Sequence, residues 1–239
     1  MNKRRRQKQN PKYKIQAASK TAPASILIYD FIDSMFGISA EMVVRDLDKL
    51  SGESSIDLRI NSNGGDIFEG FSIFNALMAH PSDINVFIEP LAASAASFIA
   101  MAGDQITMQE TGGVFHMHKS HGFKSGNATD HEIFAHRLTE MDEFQAKIYA
   151  TRNRDDDATE SEMMTMLTGD AGVDGTFMDA FEAKDKGFVD EVIELQDSIA
   201  ARLDPARFSG NIPDKFKPFA MTDNQSRFQK VRRFLEAAG

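Results

Sequence analysis

The sequence contains no cysteine among its 239 residues. This absence excludes disulfide bonds, thiolate-bound metal ions and a cysteine nucleophile. No stretch approaches the roughly 18 consecutive apolar residues that a membrane-spanning helix needs, which argues against a membrane partner. Residues 1–20 contain charged side chains but no apolar segment of the kind found in signal peptides. We therefore expect a cytoplasmic protein.

Positive charge is concentrated at the N-terminus. Residues 1–22 contain eight lysine and arginine side chains and no acidic one, although the whole chain has a formal net charge of −9. We interpret this segment as a basic, disordered arm that could contact nucleic acid or an acidic partner. The acidic remainder argues against nucleic acid as the main ligand of the folded part.

The remaining residues divide into a body and a tail. Residues 23–198 carry the regular patterns of apolar residues and form the predicted folded domain. Residues 199–239 lose this pattern and contain three of the seven prolines, so we expect a loosely attached C-terminal tail. A weak amphipathic stretch at residues 228–235 could dock on the body or on a partner.

Within the body, predicted strands alternate with predicted helices. Alternating apolar residues and turn signals predict strands at residues 26–29, 56–60, 84–88, 106–108, 113–118 and 188–193. Helices are predicted at residues 40–50, 67–78, 91–102, 129–151, 159–167 and 179–186. Pro90 is expected to end the strand at 84–88. This alternation indicates an α/β fold with a largely parallel sheet.

Two features could support attack on a carbonyl group. Ser94 lies near the start of the predicted helix 91–102, where free backbone N–H groups and the helix dipole favour negative charge. Ser97, one turn later, is the alternative, although we interpret it as a packing residue. Gly64 and Gly65 lie in a loop between a strand and a helix, where glycine allows backbone N–H groups to point at an oxyanion.

Three histidines lie close together in sequence: His116, His118 and His121. On a strand, His116 and His118 share one face because side chains alternate with period two. They could bind a metal ion or supply a general base. The sequence has no His-Glu-x-x-His motif and no carboxylate at a recognised spacing, so we expect no metal.

A base of this kind needs an acidic residue to orient it. Asp170 and Asp174 both lie in the turn region before the last predicted helix, and their positions do not separate them. The chain order would be serine, histidine and aspartate, which differs from that of α/β-hydrolases. The Gly-x-Ser-x-Gly motif of those hydrolases is also absent.

Together, several segments resemble the Clp protease proteolytic subunit family, and within it the phage head maturation (prohead) protease branch. The segments are Ile-Asn-Ser-Asn-Gly-Gly-Asp at residues 60–66, Leu-Ala-Ala-Ser-Ala-Ala-Ser at 91–97, Ala-Met-Ala-Gly-Asp at 100–104, Gly-Asn-Ala-Thr-Asp at 126–130 and Gly-Phe-Val-Asp at 187–190. The resemblance covers about residues 26–194. It implies a crotonase-like α/β fold of repeated ββα units, with protomers assembled into rings.

The resemblance also assigns roles to individual residues. It makes Ser94 the nucleophile and places Gly64, Gly65 and Ala95 at the positions that form the oxyanion hole. Alignment from residues 126–130 selects His118 as the base.

Alignment from residues 105–108 selects His116 as the base instead, and we prefer His118 because it ends the strand beside a loop. Asp174 is the nearest candidate for the orienting acid. The resemblance implies neither a metal ion nor a cofactor.

The expected function is that of a serine endopeptidase that trims capsid or scaffold proteins during phage assembly. The chain has no Gly-x-x-x-x-Gly-Lys-Ser/Thr loop, so an ATP-driven unfoldase would be a separate chain. Two alternatives remain open. One is a crotonase-type acyl-CoA enzyme, which would not need Ser94, and the other is a non-catalytic ring or scaffold-binding protein.

Overall fold

The structure, a computed structural model, describes residues 13–20, 22–194 and 211–220. Within these residues the chain forms eight strands and six α-helices. The strands are β1 (Tyr13–Gln16), β2 (Ala24–Ile28), β3 (Ser55–Ser62), β4 (Asp83–Ala93), β5 (Gln105–Gln109), β6 (Val114–Met117), β7 (Thr176–Met178) and β8 (Glu191–Ile193). The helices are α1 (Ala40–Asp48), α2 (Ile67–Ala79), α3 (Ala95–Ala100), α4 (Ala128–Arg152), α5 (Glu160–Thr168) and α6 (Ala180–Asp185).

The eight strands form one mixed sheet. Strands β2, β3, β4 and β5 are parallel neighbours, with α1, α2 and α3 between them along the chain, and β8 extends this row in parallel with β5. Strand β1 pairs antiparallel with β2 at the other edge. Strand β6 pairs in parallel with the end of β4 and antiparallel with β7. The predicted α/β class is confirmed.

The sheet forms because apolar residues alternate along its strands. In β3 every second residue is buried, and the buried ones include Ile56, Leu58 and Ile60, which have no exposed surface. Burying an isoleucine or leucine side chain contributes about 1.5–3 kcal/mol, so this one-sided pattern determines which face of the strand meets the core.

Strand β4 is longer than the sequence predicts, because it continues through Pro90 to Ala93. Residues 85–88 pair with β5, whereas residues 91–93 pair with β6. Pro90 lies where the strand changes partner, and a residue without an N–H group disturbs the hydrogen bonds least at that point.

The helix predicted at residues 91–102 therefore starts too early. Leu91, Ala92 and Ala93 belong to β4, and α3 begins only at Ala95. All three residues are buried, and a short run of small apolar residues suits a buried strand as well as a buried helix. The correction moves Ser94 from within a helix to the junction of a strand and a helix.

Parts of both predicted tails belong to the folded structure. Strand β1 falls inside the predicted arm at residues 1–22, and its Tyr13 hydroxyl donates to the Asp46 carboxylate over 2.9 Å. Phe216, inside the predicted tail at residues 199–239, is buried against Leu91, Val114 and Phe177. Apolar contacts explain both differences. The stretch at residues 228–235 lies outside the described residues, and the boundaries at 22 and 198 stay predictions.

None of the helices in the described part of the chain is both long enough and apolar enough to cross a membrane. The longest one, α4, begins with a capping box, in which the Asn127 side chain accepts from the Asp130 amide and the Asp130 carboxylate accepts from the Asn127 amide.

An ion pair fixes the end of the sheet beside β8. The Asp190 carboxylate accepts hydrogen bonds from the Arg154 guanidinium, both at 2.9 Å, and from the Ile106 amide at 2.6 Å. Partial burial acts to raise the pKa of Asp190, but the hydrogen bonds from Arg154 and Ile106 outweigh it and hold this pKa below its usual value. The charged form of Asp190 therefore stabilises the fold.

Replacing Asp190 with Asn keeps the acceptor oxygen but removes the charge. We expect the free energy of unfolding at pH 7 to fall by about 1–2 kcal/mol, after allowance for solvent screening. The unfolded pKa is about 3.9 and the folded pKa is lower, so the contribution is complete above the unfolded value and is lost as pH falls through the folded one. Urea midpoints of the two proteins should differ at pH 7 and converge in acid; a constant difference would contradict this.

Candidate active site

Ser94 lies at the turn between β4 and α3 in a strained backbone conformation. Its φ of 55° and ψ of −129° make it the one non-glycine residue with positive φ in the described part of the chain. Such a conformation costs on the order of 1–3 kcal/mol and occurs mostly at functional sites. Its amide donates to the His116 carbonyl over 2.9 Å, which ties the turn to β6. The side chain is half-buried.

The buried hydroxyl groups of Ser97 and Tyr149 form a pair that stabilises this turn. The Ser97 hydroxyl donates to the Ser94 carbonyl over 2.6 Å and lies 2.7 Å from the Tyr149 hydroxyl, which comes from α4. Ser97 and Tyr149 have no exposed surface. Burial raises the pKa of Tyr149 far above its usual value, so its hydroxyl stays protonated. Ser97 therefore holds the backbone of Ser94 as well as packing in the core.

The glycine loop packs directly against the serine turn. A Cβ atom on Gly64, which has φ of +79°, would lie 2.4 Å from the Ala93 carbonyl oxygen and 2.7 Å from Ser94 Cβ. The Gly64 amide donates to the Ser62 hydroxyl over 3.0 Å. This bond engages the Gly64 amide, so the amides of Gly65 and Ala95 are the better candidates for an oxyanion.

The two candidate histidines have different surroundings. His116 has no exposed surface, and its Nε2 donates to the Asp174 carbonyl over 2.6 Å. Burial, together with the nearby His118, holds the pKa of His116 well below its usual value, so this ring is neutral. His118 stacks on His116 with ring centroids 5.1 Å apart and lines a pocket that Ser94 also lines. The geometry favours His118 over His116 as a base.

Asp174 is brought to His118 by β7, a strand that the sequence patterns do not predict. The Asp174 Oδ1 lies 3.7 Å from the His118 Nδ1, and both side chains are more than nine-tenths buried. Gly175, with φ of +73°, allows this close approach, because a Cβ atom there would lie 2.6 Å from His118 Cβ. Asp170 is exposed, so burial and proximity favour Asp174.

The nucleophile and base candidates lie at the wall of a pocket of about 280 Å³. Ser94, His118, Gly65 and Ala95 all line it. Its apolar lining includes Ile67, Phe68, Phe98, Phe134 and Leu138. Acyl transfer from a peptide requires a nucleophile, a base, an acid that orients the base, and backbone amides near the nucleophile. The candidate site contains a group of each kind. His118 and Asp174, together with the exposed His121, also form a group that could hold a metal ion.

Comparison with known proteins shows the family of the chain. Residues 15–196 match the family described as Clp protease. The chain belongs to the Clp protease family. It is 31% identical over 162 residues to the ATP-dependent Clp protease proteolytic subunit of Bdellovibrio bacteriovorus, covering 66% of this chain and 71% of that protein. It is 30% identical over 151 residues to the ATP-dependent Clp protease proteolytic subunit 1 of Shouchella clausii, covering 60% and 70%.

Membership of the Clp protease family confirms the family resemblance and the general prediction of a peptidase. It does not favour the acyl-CoA enzyme or the non-catalytic protein. The matched region includes every residue of the candidate site, and it begins within β1 rather than at residue 23.

Gly64→Ala provides a test of the glycine loop in this Clp protease. The new methyl group would collide with the backbone around Ser94 and displace the Ala95 amide, which would lie 2.6 Å from it. We therefore expect covalent labelling by a fluorophosphonate probe to slow by about 100-fold or more, the effect of losing one well-placed oxyanion donor. Gly52→Ala is the matched control, because no atom lies within 4 Å of its Cβ position. Equal labelling of both variants would contradict the proposed contact.

Ser97→Ala tests whether the buried hydroxyl pair positions the nucleophile. Losing one hydrogen bond of about 1 kcal/mol from the Ser94 carbonyl should lower kcat about fivefold and leave KM unchanged. It also leaves the Tyr149 hydroxyl buried without its partner, which should destabilise the fold by about 1–3 kcal/mol.

The double variant Ser97→Ala/Tyr149→Phe separates the two effects, because it removes both polar groups. We expect it to recover most of the stability but not the lost kcat. Recovery of kcat together with stability would show that Ser97 is only a packing residue.

Proposed function

We propose that this Clp protease is an endopeptidase with a Ser94–His118–Asp174 triad. The observation that carries the proposal is the strained turn at Ser94, which lines the same pocket as His118, with Asp174 3.7 Å behind that histidine. The contact is longer than a hydrogen bond, and triads without substrate often have such loose geometry.

Each group has one role in the proposed reaction. The Asp174 carboxylate keeps the proton of neutral His118 on Nδ1, so Nε2 is the atom that accepts the Ser94 proton as the hydroxyl attacks a peptide carbonyl. The amides of Gly65 and Ala95 bind the resulting oxyanion. Protonated His118 then gives its proton to the leaving amine, and water hydrolyses the acyl-enzyme.

His116 acts behind the triad. Its Nε2 donates to the Asp174 carbonyl and its ring stacks on His118, so it holds the base and the orienting acid in place. A neutral imidazole suits this role, because a second positive charge beside His118 would oppose protonation of the base.

The substrates are extended protein segments with an apolar side chain at the cleaved bond. The support is the pocket that Ser94 lines, whose lining includes the rings of Phe98 and Phe134. Removing an apolar side chain from water contributes about 25 cal/mol per Å² buried, so this lining favours large apolar residues.

We extend the proposal to assembly and biological role. The relatives named above are subunits of ATP-dependent proteases, and a ring of identical subunits with a separate ATPase accounts for a chain that has no phosphate-binding loop of its own. The resemblance of the chain as a whole to the phage head maturation branch supports trimming of capsid or scaffold proteins in the host cytoplasm.

The test of the proposed function is covalent labelling with a fluorophosphonate probe together with hydrolysis of a fluorogenic peptide that has an apolar residue before the cleaved bond. Ser94→Ala should abolish labelling and lower kcat on the order of 10⁶-fold. His118→Asn should do nearly the same, since the nucleophile then has no base.

Ser72→Ala is the matched control, because this exposed serine on α2 only donates to its own helix, to the Phe68 carbonyl. It should label and cleave as the unchanged protein does. Labelling that persists in Ser94→Ala, or a folded, assembled protein that never labels, would refute the triad.

A further inference from the structure

A third histidine stands beside the proposed catalytic pair and has no role in the peptidase reaction. The ring of His121 stacks on that of His118, with centroids 4.9 Å apart and an interplanar angle of 29°. His118 and Asp174 are buried, whereas His121 is exposed at the mouth of the pocket. One donor atom from each of these three residues lies within 4.8 Å of the other two.

Hydrogen bonds hold the chain just before His121 in place. The Lys119 amide donates to the Leu167 carbonyl over 3.0 Å. The Ser120 amide donates to the Asp142 carboxylate over 2.6 Å, and its hydroxyl accepts from Gln145 over 2.9 Å. Helices α4 and α5 therefore fix the backbone up to Ser120, and this keeps the His121 imidazole over His118.

The chemistry of the cluster suits one class of ligand. Two imidazoles and a carboxylate form the donor set that Zn²⁺ takes in open protein sites, with bonds of about 2.0–2.2 Å. In a tetrahedral site two atoms bound to one ion are then about 3.3–3.6 Å apart. The His118 Nδ1 and Asp174 Oδ1 lie close to this separation at 3.7 Å. The exposed His121 ring, which is stacked on His118, has to turn so that one of its lone pairs points at the same ion.

The sequence offers no carboxylate at a metal-binding spacing from the histidines, and the fold supplies one, that of Asp174. Asp174 is far from the histidines in the chain and reaches them because β7 pairs with β6. His118 and His121 line the pocket of about 280 Å³, which has room for water to complete the coordination of an ion.

We propose that His118, His121 and Asp174 bind Zn²⁺ and that binding reversibly inhibits the peptidase. The ion binds His118 Nδ1, so the proton of the neutral ring moves to Nε2, which then has no lone pair to accept the Ser94 proton. The Asp174 carboxylate binds the ion and no longer orients the ring. Binding follows from the donor set alone, and inhibition rests on the proposed function. His121 is then a regulatory ligand rather than a catalytic residue.

Binding is measured first, on the full chain, by competition between the protein and a chromogenic zinc chelator. We expect one Zn²⁺ per chain at this site, and we expect His121→Ala to weaken its affinity by more than about 100-fold, because even the loss of an outer-shell partner costs 10–100-fold. Ser94→Ala should bind Zn²⁺ as the unchanged protein does, so this measurement does not depend on catalysis.

The matched control is His136→Ala. It removes an exposed histidine of α4 that lies 3.5 Å from the Glu140 carboxylate, a pair that could also attract a metal ion. We expect it to leave the affinity unchanged. His121→Asn serves as a second variant if the alanine protein does not keep its far-ultraviolet circular dichroism spectrum.

Inhibition is measured by the rate of fluorophosphonate labelling with and without Zn²⁺, each variant being compared with its own metal-free rate. Zn²⁺ should slow labelling of the unchanged protein and of His136→Ala but not of His121→Ala. The proposal is overturned if the unchanged protein binds no Zn²⁺, or if His121→Ala binds and responds as His136→Ala does. A protein that binds Zn²⁺ through His121 but never labels would refute the peptidase and leave the metal site standing.

Discussion

Strand β6 lies between the end of β4 and β7, and its backbone hydrogen bonds determine where every polar group of the site lies. On one side, Ala93 pairs with His116 and the Ser94 amide donates to the His116 carbonyl. On the other side, His116 pairs with Phe177, which carries the preceding Asp174 alongside His118. Three segments that are distant in the chain therefore meet because one short strand has two neighbours.

This arrangement holds polar groups in an apolar interior, and each of them is stabilised by a specific contact. The unfavourable backbone conformation of Ser94 is held by the Ser97 hydroxyl, and His116 is kept neutral by burial while its Nε2 donates to the Asp174 carbonyl. Buried polar groups of this kind are stable only when their hydrogen bonds are made. The surrounding core therefore specifies the geometry of the site as well as the stability of the fold.

The sequence predicts those strands and helices whose formation depends on the apolar pattern and turn residues within one short segment. Strand β3 was recognisable from its alternating isoleucine and leucine residues, and the helix predicted at residues 67–78 matches α2 to within one residue. The start of α3 was predicted wrongly, because the small apolar residues 91–93 fit a buried strand equally well. The α/β class follows from the order of elements, which needs no knowledge of contacts.

The long-range parts could not be predicted in this way. Asp170 and Asp174 look alike in sequence, and only the pairing of β7 with β6 buries one of them beside a histidine. The hydrogen bond between Tyr149 and Ser97 depends on the packing of α4 against α3, and no local pattern in the sequence predicts this packing. Ser94 itself came from a family resemblance, since a serine in a small-residue segment is a weak signal alone.

The segment at residues 211–220 lies beyond the region that matches the Clp protease family, yet it touches the row of rings that leads to the site. Phe216 packs on Phe177, Phe177 on His116, and His116 on His118, with centroid separations of 5.6, 3.7 and 5.1 Å. Removing the residues from 211 onwards would thus expose the apolar side chains of Leu91, Val114 and Phe177, the last of which stacks on His116. Residues 211–220 therefore cover the end of a stack of rings that leads to His118.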